Sequence, residues 1–332
     1  MIGKREVRPR EPSAAVHRLV SGVGGPGVTS VLTRCLDGAL SPAVAIMQLL
    51  IETEDAGAVR AAVDEVTERA ASISRATDSL LRDRVDELTQ ILVENEEGCE
   101  KIAGMLRSDI DSPDPAPSVE EGIAFCQRLF DWSVEQSEEA SVALYSLGNP
   151  QLLEKATREL IAHLELWSII SPQRVVLDLG CGIGRVAAEL APRVKEVHGI
   201  DVSPKMIDAA LRRCAPLGNA RFLKGSGRDL HEFADSFFDA AIAVDTFPYL
   251  HQSGAELVAT YFREARRVLK PGGDLVIFNF SYRDDDFADK RDIAGLAREH
   301  GLEVVRGGER PLGMWDALVF HLRKLDDELP QA

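Results

Sequence analysis

The stretch that most constrains the fold is Val175-Val-Leu-Asp-Leu-Gly-Cys-Gly-Ile-Gly-Arg185. A short apolar run meets an acid, Asp178, and three alternating glycines follow, Gly180, Gly182 and Gly184. Val186, Ala187, Ala188 and Leu190 then recur at helical spacing. This pattern predicts a buried strand, a tight turn and a helix start, the first unit of a parallel α/β sheet. Glycines at such a turn let the backbone bend sharply and leave bare main chain for a ligand, because no Cβ intervenes. A dinucleotide fingerprint requires Gly-x-Gly-x-x-Gly, yet after Gly180 and Gly182 the third position is Arg185. A P-loop requires Gly-Lys-Ser/Thr, which this stretch lacks. A turn that merely packs helix on strand is the plainer alternative.

The residues that follow favour a ligand site. Glu196-Val-His-Gly-Ile-Asp201 reads as a second strand ending in an acid, placed to accept hydrogen bonds from both hydroxyls of a ribose. Ser203-Pro204 starts a helix, with serine as cap and proline at the first helical position. Phe237 to Asp245 reads as a fourth strand, and Arg266-Arg-Val-Leu-Lys-Pro-Gly-Gly273 turns into a fifth, Asp274 to Asn279. In this order, from Pro150 to Lys324, the chain resembles the class I S-adenosylmethionine-dependent methyltransferases. Among them it is most similar to small-molecule enzymes of the quinone-biosynthesis type.

That resemblance implies an α/β fold: a Rossmann-like seven-stranded sheet, its last strand antiparallel, flanked by helices and preceded by an all-α N-terminal domain. It implies S-adenosyl-L-methionine as cofactor and no metal. Asp178, Gly180, Gly182 and Gly184 would hold the methionine and ribose side, with Cys181 a small residue inside the turn. Asp201 would bind the ribose hydroxyls, and Val202 and Met206 would flank the adenine. Many relatives carry an acid where this chain has Ser226, so Ser226, Gly227 and Arg228 form a divergent adenine side, and Asp229 comes too late to substitute.

Strand four ends in Asp245-Thr-Phe-Pro-Tyr249-Leu-His251, at the carboxyl edge where open α/β sheets bind ligands. Asp245 is expected to touch the cofactor's amino group or position a substrate. Tyr249 and His251 are the acid/base candidates, and Tyr145, ahead of strand one, is a lid and catalytic candidate. Phe247, Asn279, Tyr282 and Arg283 are expected to line a substrate pocket, with Trp315 reaching it from the last hairpin. Arg283 either binds a carboxylate or pairs with a neighbouring aspartate. Asp284-Asp285-Asp286 reads as a solvated turn rather than a metal site.

Residues 1–28, rich in Arg, Pro and Gly, read as a flexible tail, and 29–107 as a helical domain. Within it Val59, Val63, Val66, Ala70, Ile73 and Leu80 form an apolar stripe that Leu81, Val85, Leu88 and Leu92 continue after a shift. Such a stripe serves packing within the chain, or a coiled-coil-like homodimer. Residues 108–117 read as a Pro-rich linker, 118–170 as lid or cap helices, and 171–325 as the cofactor-binding core.

With 38 basic and 54 acidic residues the net charge is −16, a poor basis for nucleic-acid binding. No stretch reads as a membrane span or signal peptide, and the five cysteines are scattered without a Cys-x-x-Cys pair, as suits a reducing cytoplasm. The expected function is methyl transfer to an O, N or C nucleophile of a small molecule. A protein-directed methyltransferase and a non-catalytic cofactor-binding scaffold or sensor remain open; an aminopropyl transferase lacks an acidic set placed for a polyamine.

Overall fold

The computed structural model describes residues 13–72, 78–108 and 118–325. The chain divides into two compact units. One comprises the residues up to Ser108 together with Leu144–Asn149 and Gly313–Trp315; the other holds the remainder.

The first unit is helical: α1 (Ala14–Val20), α2 (Pro26–Leu36), α3 (Pro42–Thr53), α4 (Ala56–Ala71), α5 (Ser79–Glu94) and α6 (Glu96–Leu106). Side-chain caps begin four of them, with Ser13, Ser41, Asp55 and Asp78 accepting from amides three residues on. α3 buries Ala43, Val44, Ala45, Ile46, Leu49 and Leu50, apolar over most of its circumference, as a helix at the centre of a bundle must be. The stripe of α4 (Val59, Val63, Val66, Ala70) and that of α5 (Leu81, Val85, Leu88, Leu92) are both buried. A hydrogen bond of 2.8 Å between the Thr67 and Thr89 hydroxyls ties the two helices together. The apolar period is therefore consumed within the chain, while Leu80, assigned to the same stripe by heptad counting, is exposed. Ile73 lies outside the described residues.

The expected tail over 1–28 is corrected from residue 13 onward. Ser13 caps α1, Val16, Leu19 and Val20 are buried on one face, and Arg69 of α4 donates to the Leu19 and Ser21 carbonyls. Too few apolar residues lie between the Pro- and Gly-rich runs for their period to stand out in the sequence. Most of the expected linker, 109–117, lies outside the described residues.

The second unit contains α7 (Val119–Gln136), α8 (Glu138–Val142), α9 (Pro150–Leu166), β1 (Val175–Leu179), α10 (Arg185–Leu190), β2 (Glu196–Asp201), α11 (Pro204–Arg213), β3 (Ala220–Lys224), β4 (Phe238–Val244), α12 (Phe247–Gln252), α13 (Ala255–Val268), β5 (Leu269–Phe278), α14 (Asp286–Glu299), β6 (Leu302–Glu309) and β7 (Val319–Lys324). The seven strands lie in the order β3-β2-β1-β4-β5-β7-β6, with β7 antiparallel to both neighbours, as the resemblance implies. Every residue of β1 is buried, as expected of a parallel strand covered on both faces. Connections leave β1 toward β2 on one side, while β4 lies on the other, so the strand order reverses beside β1. Open α/β sheets bind ligands at that point. Among the described residues no helix is long and apolar enough to cross a membrane, and all five cysteines are free and buried.

Candidate active site

At the carboxyl end of β1 the chain turns on Gly180, Gly182 and Gly184, with φ of 70°, 50° and 73°, a region closed to most side chains. The missing Cβ positions are also needed by neighbours. Thr246 presses on Gly180, and a Cβ on Gly182 would lie 2.6 Å from Val142 Cγ1. Close packing therefore demands these glycines as strongly as any ligand. The Gly180 and Cys181 amides both donate to the Ile200 carbonyl, at 2.9 and 3.0 Å, drawing the turn onto the end of β2.

There Asp201 accepts from the Gly182 amide through Oδ2 and from the Ser203 amide through Oδ1, each at 2.9 Å. Each oxygen keeps acceptor capacity, since a carboxylate offers about four lone-pair sites. Burial raises the Asp201 carboxyl above its ordinary range, and the Ser203, Gly182 and Val202 amides oppose that rise. Asp178 is only 1% exposed, and burial pushes its carboxyl up to about 7 against the Arg185 guanidinium and the Ala187 amide. Its Oδ2 has no hydrogen-bond partner among the described residues. A buried, unpartnered carboxylate oxygen is costly, and a cationic donor relieves it.

A second cluster forms where β4 and β5 end. Asp245 and Asn279 both adopt left-handed backbone, φ 58° and 68°, which Asp and Asn tolerate better than most residues. The Asn279 amide donates to Asp245 Oδ1 and the Tyr282 hydroxyl to Oδ2, each at 2.8 Å. The Tyr249 and Tyr282 rings meet edge to face, 5.8 Å between centroids. The result is an Asn279–Asp245–Tyr282 hydrogen-bonded cluster with Tyr249 packed beside it. Phe130 packs edge-on against Tyr249, 4.8 Å between ring centroids. Burial raises both Asp245 and Tyr249 above their ordinary values.

Arg185 links the two clusters. It is buried, donates to Thr157 Oγ1 at 2.9 Å, and its charge favours the ionised forms of Asp178 and Asp245. Sequence reasoning used Arg185 only as the residue standing where a dinucleotide fold needs glycine. Its signal was a lone arginine at a helix start among apolar residues.

The remaining sequence candidates fall in several places. Val202 lies beside Gly227, close to Ile123 of α7, and Met206 is buried near Gly182. Ser226 Oγ is within 3.3 Å of Asp229 and accepts from the Arg228 amide at 3.1 Å, while the Arg228 side chain pairs with Glu120. Cys181 is buried, its thiol pushed well up by desolvation. Phe247 is fully buried against Phe262 and Phe280, and the His251 ring stands edge-on to Phe280. Arg283 takes the neighbouring-aspartate option, binding Asp289 and Asp292. Asp285 caps α14, and Asp286 pairs with Arg310. Tyr145 and Trp315 belong to the helical unit, where their rings stack at 5.3 Å and both are buried.

The strand order, the glycine turn after β1 and the acid after β2 define an α/β nucleotide-cofactor domain of the methyltransferase class. Comparison with known proteins agrees: residues 176–273 match a family described as "Methyltransferase domain". The chain is 34% identical over 117 residues to the 2-methyl-6-phytyl-1,4-hydroquinone methyltransferase of Synechocystis, covering 35% of each protein. It is 38% identical over 107 residues to the demethylmenaquinone methyltransferase of Tropheryma whipplei, covering 32% of this chain and 42% of that one. The chain thus spans well under half the length of these two relatives. Among solved structures, phosphoethanolamine N-methyltransferase 1 of Haemonchus contortus superposes with a TM-score of 0.49 at 18% identity, over 64% of this chain and 52% of that one. Residues 176–273 thus match a methyltransferase domain, and the sheet-bearing core is similar to the class I S-adenosylmethionine-dependent methyltransferases, whose cofactor is S-adenosylmethionine. The site fits that cofactor: the unpartnered Asp178 Oδ2 suits its ammonium group, and Asp201 retains acceptor capacity for a ribose.

Proposed function

We propose that this protein methylates an O, N or C nucleophile of a small molecule, using S-adenosylmethionine, and that the Tyr282–Asp245 pair, with Tyr249 packed beside it, handles the proton the nucleophile loses. When bound, the cofactor supplies a methyl carbon activated by positive sulfur. Asp178 would hold its ammonium end and Asp201 its ribose; Arg185 balances the charge of Asp178 and Asp245. Alignment alone is worth about 7–11 kcal/mol in such reactions. A positioned acid or base adds about 10²- to 10⁴-fold.

The observation that carries the proton assignment is the 2.8 Å hydrogen bond from Tyr282 to Asp245, a carboxyl that burial raises above its ordinary range. Of the acid/base candidates, Tyr249 packs edge to face on Tyr282 of this pair, whereas the His251 ring faces Phe280. The names of the two relatives, both quinone or hydroquinone methyltransferases, support a small-molecule acceptor. The buried free thiols suit the reducing cytoplasm. The test is incubation of the protein with methyl-labelled cofactor and a cell extract, followed by separation of metabolites from protein. Label in the metabolite fraction, sharply reduced by Tyr282→Phe, is expected. Label confined to protein would replace this reading with the protein-directed one.

A further inference from the structure

One helix, α7, reaches the loops after β2, β3 and β4. Along α7, Glu120 pairs with Arg228, and Ile123 lies where a Cβ on Gly227 would be only 2.8 Å away, so the helix touches the loop after β3. Gly122 approaches Ser253 so closely that a Cβ there would sit 2.5 Å from its hydroxyl, and Phe130 packs on Tyr249; both contacts are with the region after β4. Asp131 and Glu135 bind Ser203 and Lys205, after β2. α8 adds Val142, against Gly182 in the turn after β1. The α7–α8 pair therefore contacts the segments following β1, β2, β3 and β4, from outside the stretch that matches the family.

The polar centre of this cover is Asp131. Its Oδ1 accepts from the Ser203 hydroxyl at 2.6 Å and from the Lys205 amide at 3.3 Å. Ser203 is fully buried, and its own amide donates to Asp201 Oδ1 at 2.9 Å. Its hydroxyl oxygen also accepts from the Met206 amide at 3.1 Å, fixing the start of α11. A single serine is thus held by the cover through its hydroxyl and by the ribose-side acid through its amide. Moving α7 releases the Ser203 hydroxyl; moving Asp201 pulls the same residue from the other side.

We infer that Asp131 is a positioning residue for cofactor binding, locking α7 onto the Asp201 loop and coupling closure of the α7–α8 cover to occupation of the cofactor site. This rests on the function proposed above. The test titrates S-adenosylmethionine calorimetrically into the full chain, as wild type, Asp131→Ala, Asp131→Asn, Ser203→Ala and the Asp131→Ala/Ser203→Ala double variant. Hydrogen exchange of α7 is followed with and without cofactor. Losing one hydrogen bond to a charged acceptor should weaken binding about tenfold in Asp131→Ala and in Ser203→Ala. The double variant should lose clearly less than the product of the two single losses, because both remove the Ser203–Asp131 link. Asp131→Asn, which keeps an oxygen acceptor, should stay within about threefold of wild type by the same reasoning. Cofactor should slow exchange across α7 in the wild type and fail to do so in Asp131→Ala. Asp131→Ala binding within twofold of wild type, equal loss in Asp131→Asn, or α7 exchange indifferent to cofactor in the wild type would overturn the inference alone. A folded wild-type chain that does not bind would overturn the function itself, and this inference with it.

Discussion

Asp178 has one oxygen facing the Ala187 amide and the other unpartnered among the described residues, and its carboxyl is raised to about 7. A raised carboxyl is protonated in the folded state at pH values where the unfolded chain has already ionised. Stability therefore falls as pH rises from about 4 toward about 7 and levels off above. Asp178→Asn should accordingly melt higher than wild type at pH 8, with the difference shrinking at pH 4. A cationic ammonium favours the ionised form, so cofactor affinity should rise with pH up to about 7, with proton release on binding below it. Titration in two buffers of different ionisation enthalpy measures that release. Asp245 is also raised, so its limb of the pH–rate profile should lie above the ordinary carboxylate range, and Asp245→Asn should abolish that limb. Tyr282→Phe removes the hydroxyl that donates to Asp245 and should lower kcat by about 10²-fold or more, with smaller change in KM. The glycine turn was legible in the sequence because left-handed backbone at Gly180, Gly182 and Gly184 restricts which residues serve there. The Tyr249–Tyr282 contact was not, because no period relates the end of β4 to the loop after β5.

Among elements, β7 shows how a strand is pinned by buried charge. Asp274 on β5 is fully buried and accepts from Arg174 at 2.7 Å, His321 at 2.8 Å and Arg323 at 2.9 Å. Burial alone would raise its carboxyl, but the three donors outweigh it and hold the group below its ordinary value. A depressed carboxyl contributes stability that is present above the unfolded value of about 3.9 and is lost as pH falls through the lower folded one. Asp274→Ala strands three donors and should cost about 3–5 kcal/mol in denaturant unfolding at neutral pH. A loss below about 1 kcal/mol would show that the cluster does not hold β7. Strands β1, β2, β4 and β5 were legible as short apolar runs bounded by turn residues. The edge strand β6 runs on through Arg306, Gly307 and Gly308 to Glu309, residues that carry no apolar alternation.

At the scale of the whole chain, a helical unit and a sheet-bearing unit fold as two compact bodies. The α4–α5 period identified helices but not their partner, since an apolar stripe looks the same whether a second chain or the same chain covers it. Here it is covered internally, so Val85→Asp, which buries a charge between α4 and α5, should unfold the helical unit rather than merely alter oligomer size. Circular dichroism melting beside light scattering distinguishes the two results. Tyr145 and Trp315 stack across a separation that no local pattern encodes, which is why resemblance alone had assigned them to a lid and a pocket.

The central claim is that the turn at Gly180–Gly184 and the acid at Asp201 hold S-adenosylmethionine. Calorimetric titration of that cofactor into the purified chain, beside Asp201→Ala and an NAD control, tests it most directly. Micromolar binding by the wild type, lost by at least about tenfold in Asp201→Ala and absent with NAD, is the expected result. A well-folded, ligand-free wild-type chain that does not bind S-adenosylmethionine would contradict it and bring a non-catalytic scaffold to the front.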